Sequence, residues 1–315
     1  MDSTNDLIVS VATASKICTV NWATIEPYAV SLHRSGFNGT KIMFVSGIDS
    51  DTVSKLIATG IQVIEFTKEQ NFIWPPIVKF LFETKQEFRN ILYVDCFDVV
   101  FQSNPSTWLE QNLGEHRLVG FTDSVTIENG GGTDIWVKDF NPEAYEKIKH
   151  EDVCCCGTVM GEAHAMRDLL TEINTEINTA LCANRRLVDQ GILNALLYTK
   201  YKDITMVPKL AAGFVGGVVQ FLGGNTTVWT NPHPRLDMET GLVYPAGSNT
   251  PFVIVHQHNR NQEWWTRISL RYVKTAPSMI SVATTEIRNG VSASRVPRYV
   301  NRGCLVQDWW DRHKR

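Results

Sequence analysis

No apolar run in the 315-residue chain approaches the roughly 18 residues a membrane-spanning helix needs. No Cys-x-x-Cys pair is present, which argues against a structural zinc site. Positive charge is not in surplus. The 30 Lys and Arg face 33 Asp and Glu for a net charge of −3, so composition offers no case for nucleic-acid binding. The glycine triplet Gly130-Gly131-Gly132 lacks the Gly-x-Gly-x-x-Gly spacing of dinucleotide binders and reads as a turn. Residues 1–7 are polar and acidic rather than basic and then apolar, so the expectation is a cytoplasmic protein with no signal peptide and no membrane anchor. Seven cysteines, three of them adjacent (Cys154, Cys155, Cys156), fit reduced thiols better than a disulfide framework. In that compartment the sequons at Asn38 and Asn225 are chance matches.

What the chain does have is 43% hydrophobic residues, enough to bury a large core. Its first half alternates strand-like and helix-like segments. Strands are expected at residues 7–14, 41–46, 61–66, 91–94 and 118–121. Helices are expected at 21–35, at 52–59 capped by Asp51, from Pro75-Pro76 to about 88, and from Asn104-Pro105 onward. This rhythm means βαβ units and a mainly parallel sheet flanked by helices, with ligands bound at the carboxyl ends of the strands. The second half reads as helices at 162–183 and 187–201, strands at 204–207, 226–230 and 252–258, and a Gly/Asn/Thr/Pro-rich stretch at 214–249 that reads as loop. From residue 281 the chain carries seven basic residues against three acidic ones, with Trp309-Trp310. This tail reads first as a docked segment with solvated charges, and second as a phosphate-binding or peripheral membrane-surface segment.

The chemistry concentrates at Ile91-Leu-Tyr-Val-Asp-Cys-Phe-Asp98. An apolar strand runs straight into Asp95, and Asp98 follows three residues later. Two carboxylates at a ligand-binding sheet edge repel unless a cation or Arg neutralises them. Hard oxygens suit Mg2+ or Mn2+. A nucleoside diphosphate has the same need for screening, and a bridging metal stabilises it as a leaving group. A lone Asp-x-x-Asp would more often cap a turn. A haloacid-dehalogenase-type phosphatase would place Asp-x-Asp near the chain start, whereas here four strands come first.

Four tracts together resemble the GT-A glycosyltransferases, especially the glycogenin-like and lipopolysaccharide galactosyltransferase-like enzymes. Asp95-Cys-Phe-Asp98-Val-Val-Phe-Gln102 resembles a variant of their metal-binding Asp-x-Asp motif. Cys156-Gly157-Thr158-Val-Met-Gly161 resembles the strand beside the donor sugar, and Asp189-Gln190-Gly-Ile-Leu-Asn194 a helix start of that family. Val255-His256-Gln-His258 resembles the late strand whose His completes the metal site. The sequence departs from the pattern in two places: Cys155 stands where the family carries Asn, and no Gly-x-x-Lys-Pro tract follows the His.

The resemblance implies a GT-A fold, Rossmann-like, over residues 1–275. Residues 1–125 would form the nucleotide-sugar half, 126–275 the acceptor half, and 276–315 a basic segment. It implies Mn2+ or Mg2+ held by Asp95, Asp98 and His256, and a nucleotide-sugar donor near Thr13, Lys79, Asp95 and Gly157. Asp189 and Gln190 would act catalytically at the sugar, and a glycan or glycoconjugate would be the acceptor. It leans toward retention of configuration, while an inverting enzyme would draw its base from Asp123, Asp134 or Asp189. By strand periodicity His256 and His258 share a face, leaving His258 as the substitute ligand. Lys79 reads equally as a solvated lysine, and Asp189 as a charge favoured at a helix start. Trp264-Trp265 fits either sugar stacking or core. Two rivals remain: a sugar nucleotidyltransferase, for which Thr13-Ala-Ser-Lys16 is a poor loop, and a non-catalytic carbohydrate-binding or scaffold protein.

Overall fold

A computed structural model of the protein describes residues 4–14, 20–67, 73–130, 132–185, 187–208, 218–219 and 234–273. Among them the chain builds an α/β fold on a seven-stranded, mainly parallel sheet. β1 (Asp6–Thr13) is central and alternates strictly. Leu7, Val9 and Val11 enter one core while Ile8 and Ala12 enter the other, because successive side chains point to opposite faces. A strand buried on both faces needs helices on both, which the crossovers supply.

β2 (Thr40–Ser46) and β3 (Gln62–Glu65) extend the sheet on one side, parallel to β1. β4 (Asn90–Val94) pairs parallel to β1 on the other side. Then come β7 (Asp152–Glu162), β6 (Leu118–Thr126) and β8 (Thr205–Met206), giving the order β3-β2-β1-β4-β7-β6-β8. β7 runs antiparallel to both its neighbours, the one reversal in the sheet.

α1 (Trp22–Arg34), α2 (Ser50–Ala58) and α4 (Pro105–Asn112) contribute to one core, and α3 (Trp74–Glu83), α7 (Ala163–Cys182) and α8 (Asp189–Tyr198) to the other. The cap of α2 is Asp49, whose side chain accepts from Thr52 N at 2.8 Å. Asp51, expected in that role, sits in the first turn and pairs with Lys55. α3 stops at Glu83 rather than near 88 because the following Thr-Lys-Gln-Glu offers no apolar face to bury. Two unexpected helices, α5 (Thr133–Phe140) and α6 (Pro142–Ile148), follow the glycine triplet. Asn141 caps the second by accepting from Ala144 N.

A second, three-stranded sheet joins β5 (Val99–Phe101), β12 (Ile254–His256) and β9 (Val218–Val219). It rests on α9 (Gln262–Tyr272), whose Ile268 and Tyr272 pack with Val100, Phe252 and Val255. The stretch expected as loop also holds a hairpin of β10 (Arg235–Leu236) and β11 (Val243–Tyr244). The strand expected at 226–230 and the basic tail lie outside the described residues. No described helix is long and apolar enough to cross a membrane.

Candidate metal centre

The chain steps between its two sheets over four residues, and both acids sit on that step. β4 ends at Val94, and β5 begins at Val99. Asp95 remains tied to the large sheet, its N–H donating to Gly157 O of β7 at 2.8 Å. Asp98 abuts the small sheet, where antiparallel pairing sets His256 opposite Val99. Register alone therefore carries the His256 ring to the acids. The three residues offer ligand atoms that all lie within 4.8 Å of one another. His256 Nε2 is 3.4 Å from Asp98 Oδ1 and 3.6 Å from Asp95 Oδ2.

Two carboxylate oxygens and an imidazole nitrogen form a donor set that suits a hard divalent ion. Adjacent ligands of an octahedral ion of that size sit about 3 Å apart, so the two edges that meet at His256 need only a small contraction. The space is kept open by the backbone at Gly157. A Cβ there would overlap Asp95 Oδ2 and stand 2.7 Å from His256 Cε1. The residues present thus fit a divalent cation.

Two of the three residues are buried. Asp98 and His256 are each 1% exposed, and Asp95 is partly open. Burial works to lower the pKa of His256. The carboxylate of Asp98, with Cys155 and Asp95, outweighs it and holds the imidazole well above its usual value. The other ring nitrogen, Nδ1, faces Thr158 Oγ1 at 3.1 Å. Tyr93 OH donates to Asp95 Oδ1 at 3.3 Å.

His258 does not share the face of His256. Gln257 takes a left-handed backbone, φ 65°, which ends the strand and turns His258 away. Its Nδ1 lies 3.0 Å from the Asp98 carbonyl, where an N–H would donate, and its ring stacks on Trp265 at 5.2 Å. Complete burial pushes its pKa down to about 4, so it is neutral in ordinary buffers. Trp265 is buried against it, which is the core reading of that residue.

The remaining candidates are not members of this cluster. Gln190, on α8, donates from Nε2 to Thr133 Oγ1 at 3.1 Å and accepts at Oε1 from Cys156 N at 3.5 Å, one residue from Gly157. Asp189 opens α8 and accepts from Gln190 N. Asn194, one helical turn further, plays the part of an absent strand. Its Oδ1 accepts from Cys154 N at 2.7 Å and its Nδ2 donates to Cys154 O at 2.8 Å, where the β6–β7 ladder is irregular. Thr13 ends β1 opposite Ser46. Lys79 is exposed on α3, 3.9 Å from Glu83. Asp123 is buried on β6, and Asp134 lies 3.7 Å from Lys138. Thr158 was not singled out from sequence, because a threonine in an apolar strand carries no signal until its neighbour is known.

No protein-family model matches the chain, and no curated protein matches its sequence. Among solved structures the chain is similar to the galactosyltransferase LgtC in complex with donor and acceptor sugar analogs. That likeness has 15% identity and a TM-score of 0.49, over 90% of this chain and 100% of that one. It is also similar to an active-site mutant of LgtC, at 14% identity and a TM-score of 0.49 over 91% and 96%.

Proposed function

We propose that the protein is a metal-dependent glycosyltransferase, moving a sugar from a nucleotide diphosphate donor, UDP-sugar in preference to GDP-sugar, to a hydroxyl of a glycan acceptor. The observation that carries this reading is the convergence of Asp95, Asp98 and His256 at the carboxyl end of β4, where open parallel sheets bind their ligands. A Mn2+ or Mg2+ held there supplies positive charge to a diphosphate leaving group. Asp95 is the partly exposed member and faces the ligand side, while Asp98 and His256 anchor from the protein side. Gly157 lets the donor and the ion approach the backbone of β7. Gln190 and Asp189, at the start of α8 beside Cys156, orient the sugar. Thr13 at the end of β1 and Lys79 serve the nucleotide.

Calorimetric titration of UDP and of GDP, each with Mn2+ and with EDTA, tests this on wild type and Asp98→Ala. Metal-dependent binding of one nucleotide, lost in the variant, is the expected result. Binding of neither nucleotide under any condition would remove the reading and leave a glycan-binding or scaffold protein.

A further inference from the structure

Thr158 occupies a position where valine would be the ordinary residue. It lies on β7 opposite Val94 and is fully buried in an apolar strand. A buried hydroxyl costs free energy unless it finds a partner. The partner here is His256, with Oγ1 and Nδ1 3.1 Å apart. The opposite nitrogen, Nε2, faces both carboxylates. An imidazole that offers its Nε2 lone pair to a cation carries its hydrogen on Nδ1, and that hydrogen points at Thr158 Oγ1. The alternative acceptor is Cys155 Sγ, 3.9 Å from Nδ1. Sulfur accepts weakly, and this thiol already receives Gln257 Nε2 at 3.4 Å.

We infer that Thr158 is the positioning residue of the metal centre: its hydroxyl accepts the Nδ1–H of His256 and so fixes the tautomer and ring plane that present Nε2 to a divalent cation between Asp95 and Asp98. The inference rests on the metal-binding reading of that cluster. Its place in the chain makes the arrangement economical. Thr158 follows Gly157, so one strand supplies both the gap in front of His256 and the hydrogen-bond acceptor behind it. Partners of this kind, which act through a metal-bound His, change metal affinity by about 10–100-fold when removed.

The test compares the full-length wild type with Thr158→Val, Thr158→Ala and Thr158→Ser. Mn2+ binding is read by the loss of the free-ion electron paramagnetic resonance signal, and the bound ion's coupling to a coordinated imidazole nitrogen by electron spin echo modulation. Melting in EDTA confirms that each variant is folded. Valine keeps the shape and alanine relieves any crowding from the second methyl, so one of the two is available should the other fail to fold. The inference expects a 10–100-fold weaker Mn2+ affinity and a diminished nitrogen coupling in both hydroxyl-free variants, with serine restoring both. A folded Val or Ala variant that binds Mn2+ within threefold of wild type and keeps the coupling overturns the inference and leaves the metal centre standing. A wild type that binds no Mn2+, or binds it with no nitrogen coupling, overturns the reading of the centre and the role of Thr158 with it.

Discussion

Replacing Gly157 by alanine adds a single methyl group, and the structure says where the strain goes. The new Cβ would overlap Asp95 Oδ2 and stand 2.7 Å from His256 Cε1 and 2.8 Å from Asp95 Cγ. Ordinary carbon contacts lie at about 3.5–4.0 Å, so roughly 1 Å must be recovered. His256 is buried and held through Nδ1, and its backbone is locked into the β5–β12 ladder. The Asp95 carboxylate is partly exposed and ends a flexible side chain, so it yields first, while the contact with His256 Cε1 has to be relieved by a small shift of the ring or of β7. Swinging the carboxylate off its rotamer costs about 0.5–1.5 kcal/mol, and with the His256 contact added the total falls in the ~1–3 kcal/mol range typical of overpacking. Ligand distances, by contrast, tolerate only about 0.2 Å. Fold and site therefore separate: the variant should stay folded yet lose its cation. Melting curves in EDTA and in saturating Mn2+ read both effects. Wild type at ~100 times its Kd gains about 2.7 kcal/mol from the ion. Gly157→Ala should be about 1–3 kcal/mol less stable than wild type in EDTA and gain less than half of the metal-induced shift. A variant that retains the full shift would refute the crowding argument, since Asp95 would then have moved without consequence.

Three further outcomes follow from the same geometry. His256 sits well above its usual pKa, so cation and proton compete for Nε2. Mn2+ binding should release a proton and tighten as pH rises, measured by calorimetry in buffers of different ionisation enthalpy; an absence of proton release contradicts it. His258 titrates at about 4 in the folded chain and at about 6.5 when unfolded. Between those values the unfolded state binds the extra proton, so in EDTA the His258 contribution to stability is complete above pH 6.5 and drains away toward pH 4. His258→Asn should flatten that acid limb in urea titrations. Asn194→Leu strips Cys154 of partners for both its N–H and its C=O, each worth about 1–3 kcal/mol when left buried and unpaired. A loss of about 2–4 kcal/mol in urea denaturation is expected, and a loss below 1 kcal/mol would mean that the strand finds another partner.

Much of the large sheet could be read from residues 7–94 because its strands are apolar runs between well-punctuated helices, and two-sided burial writes itself into composition. Asp95 and Asp98 were visible for the same reason, as charges where an apolar run should have ended in a turn. β5 was not. Val99-Val100-Phe101 has only three residues, and its pairing with β12 lies about 150 positions away, beyond any local pattern. The shared face assigned to His256 and His258 failed because periodicity assumes an unbroken strand. A non-glycine residue with positive φ, Gln257, breaks it without a signature in the sequence. Gly157 was legible as part of a motif. That its missing methyl leaves room for two ligands is a fact about three remote segments, 95, 157 and 256.

The centre straddles a seam. Asp95 hangs from the last rung of the seven-stranded sheet, while Asp98 and His256 belong to the three-stranded one. A bound ion would act as a rivet between two layers that also meet through packing, the short covalent step from 95 to 98 and side-chain hydrogen bonds such as His256 to Thr158. Local opening of β12 then has to break a coordination bond as well as its own ladder. In the loaded protein the amide hydrogens of β5 and β12 should exchange on the schedule of the main sheet, so that a bound ion makes two cooperative units behave as one.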